Sequence, residues 1–178
     1  MTRLTPDEAE AYRRPVLDAL GDDDPVAVQE TEPELWRRLI EQAGAHLRTR
    51  PAEGEWSVLE CLGHMTDSEL VTSGRYRWIL SEPEPTLLGF DQTAWAARMN
   101  HAAADPAALM DYFGAMRRAN LALWRRTPPA DRTRVGLHAE RGPESYELLF
   151  RLQAGHGRVH RAQAERALAI VRRPRPVG

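Results

Sequence analysis

Lysine is absent from this chain, and all 24 of its basic residues are arginines. Without lysine, the protein has no ε-amino group for Schiff-base chemistry or for general-base catalysis by an amine. A codon bias toward arginine explains the absence more simply than a requirement for guanidinium chemistry. Any single arginine is therefore weak evidence for a binding site.

Cysteine and long apolar segments are also scarce. The single cysteine, Cys61, excludes an internal disulfide framework and favours a reducing, cytoplasmic setting. No apolar run approaches the length of a membrane span, and residues 1–20 carry no apolar stretch of the signal-peptide type. The 24 basic residues nearly balance 26 acidic ones, so no basic excess indicates nucleic-acid binding.

Isoleucine and valine are few, with 3 and 9 residues against 25 alanines and 20 leucines. Alanine and leucine are among the best helix formers, whereas β-branched residues favour sheets, so the composition predicts an all-α fold. At 178 residues, the chain is long enough to bury one core without the help of a disulfide or a structural metal.

Helix-start and helix-stop signals predict a short N-terminal helix and four long helices. The short helix runs from about Thr5 to Leu20 within a peripheral arm of residues 1–30. A capping box of Thr31 with Glu34 predicts the start of the first long helix, because each side chain can satisfy a free amide of the first turn.

The other long helices begin at Ser57 (a second capping box), at Asp105 before a proline, and at Ser145. A connection of residues 82–104, with a short helix over about 91–99, separates the second long helix from the third. The proline- and glycine-rich stretch 127–143 predicts a loop.

Four long helices predict a four-helix bundle over residues 31–171, with a long crossover between its second and third helices. Because the connection in residues 82–104 is long, simple up-down-up-down topology is not required. The arginine- and proline-rich residues 172–178 predict a basic, disordered tail.

Three of the six histidines occupy positions that suit a metal site. His156 and His160 are four residues apart on the last helix, which places both imidazoles on one face, about 6 Å apart at Cβ. His64 lies among core-facing residues of another helix, where an imidazole needs either a hydrogen bond or a metal. Three histidines with an open fourth position match a catalytic zinc-type site, and Ni, Fe or Mn also suits these ligands.

Other polar residues near these motifs carry weaker predictions. Asp67 is placed either to orient the imidazole of His64 or to remain a solvated carboxylate. Cys61 lies one turn before His64 and is more simply an apolar filler than a ligand. His138 is expected to overhang a pocket at the end of the bundle. Two histidines are expected at the surface, His46 and His101.

Two segments resemble the histidine motifs of the DinB-like superfamily of DNA-damage-inducible helical-bundle proteins. The first is residues 55–69, EWSVLECLGHMTDSE, and the second is residues 134–163, which end in GHGRVHRAQ. The resemblance covers about residues 31–169 and rests on the order and spacing of both motifs. One departure is Gly157, where the family commonly has an aspartate that is not a ligand.

The resemblance implies a crossover four-helix bundle, a homodimer and a divalent metal ion held by His64, His156 and His160. Relatives of known activity include S-transferases and isomerases that use a low-molecular-weight thiol such as bacillithiol or mycothiol. The implied partners are therefore a small-molecule thiol or electrophile, with no nucleic acid and no membrane.

Three functional interpretations stay open at this level. In the first, the metal activates a small thiol or water, giving an S-transferase, isomerase or hydrolase that acts on a small electrophile. Three arginines are then candidates for holding the carboxylates of an anionic thiol: Arg117, Arg134 and Arg141. The second is a non-catalytic, metal-stabilised binding module of the stress response, and the third is a plain bundle without metal.

Overall fold

Six α-helices carry most of the chain in the computed structural model, which describes residues 3–173. They are α1 Pro6–Leu20, α2 Pro25–Ala43, α3 Val58–Ser81, α4 Gln92–Arg98, α5 Pro106–Arg126 and α6 Tyr146–Val171. The predicted helical bundle is confirmed, since α2 and α3 each pack against both α5 and α6. None of the described helices combines the length and apolarity that crossing a membrane requires.

Local capping explains where three of the bundle helices begin. The hydroxyl of Ser57 accepts a hydrogen bond from the Glu60 amide at 3.3 Å, and the Glu60 carboxylate accepts one from the Ser57 amide at 3.0 Å. Asp105 and Ser145 each accept one hydrogen bond from the first turn of the helix that follows. The predicted starts of α3, α5 and α6 are therefore confirmed.

The predicted helix start at Thr31 is wrong. Helix α2 begins earlier, where Asp24 accepts a hydrogen bond from the Val26 amide at 3.0 Å and Pro25 occupies the first helical position. A proline is well suited to that position because it needs no amide hydrogen there. Thr31 therefore lies inside α2, where its hydroxyl donates to a carbonyl of the preceding turn.

Helix α1 lies within the segment predicted as a peripheral arm, and it packs along α6. Its capping box of Thr5 with Glu8 fixes its first turn. The division at residue 30 stays a prediction, although that residue falls within α2. Of the predicted basic tail, residues 174–178 lie outside the described part of the chain.

A small sheet joins the two connections of the bundle and was not predicted. Its strands are β1 Thr86–Leu87, β2 Val135–His138 and β3 Gly142–Ser145. Strand β1 runs parallel to β2, with Thr86 opposite Leu137, and β2 forms an antiparallel hairpin with β3. The stretch 127–143, predicted as loop, thus contains β2 and the hairpin turn. Because β2 pairs with β1, it also holds the connection that follows α3 in place.

Candidate metal centre

Three imidazoles from two helices converge inside the bundle. His64 projects from α3, while His156 and His160 project from α6, one turn apart. One ligand nitrogen of each ring lies within 4.8 Å of the others, and no other His, Cys, Asp or Glu in residues 3–173 joins this group. The tertiary fold therefore brings together the three histidines selected from the sequence.

The spacing of the nitrogens suits a metal ion. Nε2 of His64 is 3.4 Å from Nε2 of His156. Two nitrogens bound to a tetrahedral zinc at about 2.0–2.1 Å would be roughly 3.3–3.4 Å apart. Two nitrogen lone pairs at this distance repel each other unless a proton or a cation lies between them. The donor set therefore fits a divalent ion.

Neighbouring side chains orient the two imidazoles of α6. Nδ1 of His160 is 2.9 Å from Oε1 of Gln163, and because an amide oxygen only accepts, Nδ1 carries the proton. Nδ1 of His156 is 3.4 Å from the hydroxyl of Ser68, which donates its own hydrogen to Gln153. Both rings then present the Nε2 lone pair to the centre, as metal-ligating histidines do.

His64 has aromatic surroundings. Its ring centroid is 5.0 Å from that of Trp56 and 6.2 Å from that of Phe90, and its buried Nδ1 has no hydrogen-bond partner in the described chain. Burial lowers the pKa of His64 to about 3, with the charge of His160 as the second cause. Burial also lowers the pKa of His156 and of His160. All three rings are therefore neutral near pH 7, as metal ligands must be.

A cavity of about 370 Å³ opens against His64 and His156. Polar side chains of α3 continue from His64 along its wall, and residues of α1 and α6, most of them apolar or aromatic, also line it. Residues 89–93, which follow β1, complete the wall. The histidine cluster thus faces a space that admits a small molecule, which a catalytic site requires and a closed structural site lacks.

Asp67 pairs with His101 instead of orienting His64. Its Oδ2 is 2.6 Å from Nε2 of His101. The predicted surface position of His101 is wrong, because this residue is buried and its ring packs directly on Gly63. A Cβ at Gly63 would overlap the imidazole. A glycine inside a helix indicates that another group approaches the backbone closely, and Gly63 was this signal for His101.

His138 is buried in β2 and does not overhang the cavity. Its Nδ1 accepts a hydrogen bond from the Glu140 amide at 3.2 Å, and burial lowers its pKa to about 4. Cys61 is an apolar filler, as expected, and burial raises its thiol pKa to about 12. His46 is exposed, as predicted.

Two of the three arginines that were candidates for binding an anionic thiol are engaged elsewhere. Arg117 is fully buried and forms an ion pair within the bundle, and Arg134 donates to carbonyls at the C-terminal end of α3. Arg141 does line the cavity, but Glu144 holds its guanidinium at 2.7 and 3.0 Å. The cavity contains another arginine, Arg75, that sequence reasoning missed.

Gly157, which stands where the family commonly has an aspartate, lies beside a carboxylate from α2. A Cβ at Gly157 would be 3.4 Å from Cδ of Glu32. Burial raises the pKa of Glu32, and the charge of Arg161 partly opposes this increase. Nε of Arg161 is 3.3 Å from Oε1 of Glu32. The acidic group next to this turn of α6 is therefore supplied by another helix.

Together, these features define a four-helix bundle with a three-histidine cluster at a cavity. A sequence profile of the DinB superfamily matches residues 27–164, and the chain belongs to that superfamily. Among solved structures, it is similar to YfiT from Bacillus subtilis, described as a probable metal-dependent hydrolase with an unusual four-helix bundle topology. The TM-score is 0.75 at 22% identity, over 80% of this chain and 83% of that chain. No curated protein sequence matches.

Acidification is expected to destabilise the metal-free protein. The pKa values of His64 and His138, about 3 and about 4, lie below the value of about 6.5 in an unfolded chain. Below pH 6.5 the unfolded chain takes up protons that the folded chain does not, so stability falls between pH 6.5 and 4 and is unaffected by these groups above pH 7. Each group contributes up to about 1.4 kcal/mol per pH unit.

Urea unfolding at several pH values checks this slope. His138→Gln is expected to reduce it, whereas His46→Gln, a change at an exposed histidine, is expected to leave it unchanged. Equal slopes in wild type and in His138→Gln would contradict the lowered pKa of His138.

Proposed function

We propose that this protein binds one divalent metal ion through His64, His156 and His160 and uses it to activate a small thiol or water. The nucleophile then attacks a small electrophile. The observation that carries this proposal is the convergence of three neutral imidazoles, two of which, His64 and His156, line a cavity. A divalent ion lowers the pKa of a thiol or water that it holds, and Zn, Ni, Fe or Mn suits three imidazole ligands.

Residues around the cluster support this chemistry. Gln163 and Ser68 hold two of the imidazoles with their Nε2 lone pairs toward the centre. Trp56 and Phe90 cover His64 with apolar rings, which exclude water and lower the local dielectric. The cavity beside the cluster supplies the space for the electrophile.

The choice of nucleophile separates the possible reactions. Attack by water gives hydrolysis, and the description of YfiT as a probable metal-dependent hydrolase supports that form. Attack by a thiol gives the S-transfer or isomerisation that the family resemblance implies. Both forms need the same three ligands and the same open cavity.

The alternative is a metal-stabilised bundle that acts as a stress-response binding module without catalysis. That function needs no open position at the metal, so the cavity against His64 and His156 favours the catalytic proposal. The proposed homodimer is a separate expectation, which analytical ultracentrifugation tests.

Wild-type protein loaded with zinc or nickel and then dialysed is expected to retain about one ion per chain. His64→Ala and His160→Ala are each expected to lower metal affinity about 100-fold, because a ligand contributes at least as much as the residues that orient it. Elemental analysis and chelator competition measure the loss.

His46→Ala, at an exposed histidine, is the matched control and is expected to retain the ion. Circular dichroism checks that each variant is folded. A wild-type protein without bound metal, or alanine variants that keep it, would refute the metal site. Bound metal without acceleration of thiol or water attack on small electrophiles would favour the binding module.

A further inference from the structure

Arg75 is a buried guanidinium in the cavity wall, and no carboxylate of residues 3–173 forms an ion pair with it. The residue is 6% exposed, and its buried Nε has no hydrogen-bond partner in that part of the chain. Its Nη2 donates to the carbonyl of Leu88 and lies 3.2 Å from Nε2 of His138. Neither partner brings a negative charge.

The absence of a counter-ion is unfavourable for Arg75. Burial lowers its pKa to about 10, with the charge of Arg141 as the next cause, so the guanidinium is still protonated at pH 7. Glu144 and Glu140 oppose this decrease of the pKa, but neither forms an ion pair with Arg75. A buried charge without a directly paired counter-ion is destabilising, and an anion that entered the cavity would offset that cost. Its Nε carries a hydrogen without an acceptor among the described residues, which an anion bound at this guanidinium would satisfy.

The other charged residues of the cavity wall narrow the choice of anion. Arg141 is held by Glu144, and the carboxylate of Asp91 caps the first turn of α4. Glu140 adds a further negative charge at the wall. Because Asp91 and Glu140 repel a second negative charge, a monoanionic carboxylate suits the cavity better than a phosphate dianion.

Four residues of α3 form one stripe along the cavity: His64, Ser68, Thr72 and Arg75. Arg75 lies about three helical turns beyond His64, roughly 16 Å of rise along the axis. Apolar side chains of α1 and α6 also line the cavity, among them Val16, Leu149 and Leu152. The stripe thus has His64 at one end and Arg75 at the other, and both polar and apolar side chains line the cavity.

We infer that Arg75 binds the carboxylate of an acidic small-molecule substrate whose reacting group lies at the histidine cluster. This inference rests on the proposed function, because the cluster defines the reacting end. The edge of a guanidinium matches the two oxygens of a carboxylate, which gives orientation as well as affinity. The substrate class is therefore a small carboxylic acid in which a spacer separates the carboxylate from the reacting group.

The probes are ω-mercaptocarboxylic acids with increasing numbers of methylene groups, each compared with its neutral primary amide. In the metal-loaded protein, the thiol group is expected to bind the cluster equally well in the acid and in its amide. The difference in affinity between the two probes therefore isolates the contribution of the carboxylate. Calorimetry is expected to show acid bound at least about ten-fold more tightly than amide at a preferred chain length. Equal binding at every length would overturn the inference.

Arg75→Gln is expected to abolish the preference for the acid and to leave amide binding unchanged. Arg77→Gln, at an exposed arginine of the same helix, is the matched control and is expected to keep the preference. If Arg75→Gln does not fold, Arg75→Lys is used, since lysine keeps the charge but loses the fork. A preference that survives in Arg75→Gln, or that is undiminished in Arg75→Lys, would overturn the inference.

A second arm separates this inference from the metal proposal. Metal-free protein is titrated with unbranched carboxylic acids and with their amides, which carry no thiol. A preference for acids here that depends on Arg75 supports the anion site even if elemental analysis shows no metal. Displacement of these acids by inorganic phosphate at equal or lower concentration would contradict the assignment to a carboxylate.

Discussion

Replacing Glu69 with alanine is expected to destabilise the protein by about 3–5 kcal/mol. Glu69 and Arg117 are fully buried, and Oε2 of Glu69 is 2.8 Å from Nη2 of Arg117. Removing the carboxylate leaves the guanidinium charged and uncompensated inside the bundle, which is the costly way to break a buried ion pair. Urea unfolding measures the change in the free energy of unfolding.

The same substitution is expected to weaken metal binding about 10-fold. Oε2 of Glu69 accepts a hydrogen bond from Gln153 at 2.9 Å, and the other end of that amide accepts one from Ser68. Ser68 in turn contacts Nδ1 of His156. Loss of Glu69 frees the side chains that orient this ligand, and such supporting contacts are worth 10- to 100-fold in metal affinity.

Two controls isolate the effect of burial. Glu34→Ala removes an exposed glutamate that pairs with Arg37 and Arg38, and it is expected to change the free energy of unfolding far less than Glu69→Ala does. Replacing Glu69 and Arg117 together with methionine is expected to recover most of the lost stability, because no buried charge remains. Equal losses for Glu34→Ala and Glu69→Ala would contradict this account.

Gly155→Ala is expected to cost at least about 3 kcal/mol and to displace α1 from α6. A Cβ at Gly155 would overlap the backbone carbonyl of Val16 on α1. Overpacking costs of about 1–3 kcal/mol are typical where side chains can adjust, but here the obstacle is backbone, so the whole helix must move. Urea unfolding measures the energy, and hydrogen exchange of α1 amides reports the displacement.

Gly157→Ala is the matched control on the same helix. Its added Cβ would be 3.4 Å from Cδ of Glu32, which is an ordinary contact with a side chain. Since glycine in a helix interior is about 1 kcal/mol less favourable than alanine, this variant is expected to be neutral or slightly more stable. If the two variants were equally stable, the close approach of α1 to α6 would not be the reason for Gly155.

Helix boundaries were predictable where the capping partner is three residues away. Ser57 and Glu60 cap α3 as their spacing indicates. The same spacing at Thr31 and Glu34 was misleading, because the pattern carries no information about an alternative cap upstream. Helix α2 begins earlier, where Asp24 caps the first turn and a proline follows it, so Thr31 lies inside the helix.

The sheet and the anion site depend on residues that are far apart in the chain. Thr86 pairs with Leu137 across fifty residues of sequence, and neither segment is long enough to signal a strand alone. Arg75 is one of 24 arginines in the sequence, and what distinguishes it is burial together with the lack of an ion-paired carboxylate within residues 3–173. That lack is a property of packing.

The amino-acid sequence by itself determined the positions of most bundle helices and the common face of His156 and His160, because capping and helical periodicity act over three or four residues. The tertiary structure alone decided that His64 meets this pair, that a cavity opens beside them and that Arg75 is buried without a counter-ion. Burial and electrostatic pairing depend on which helices pack together, and local spacing does not specify those contacts.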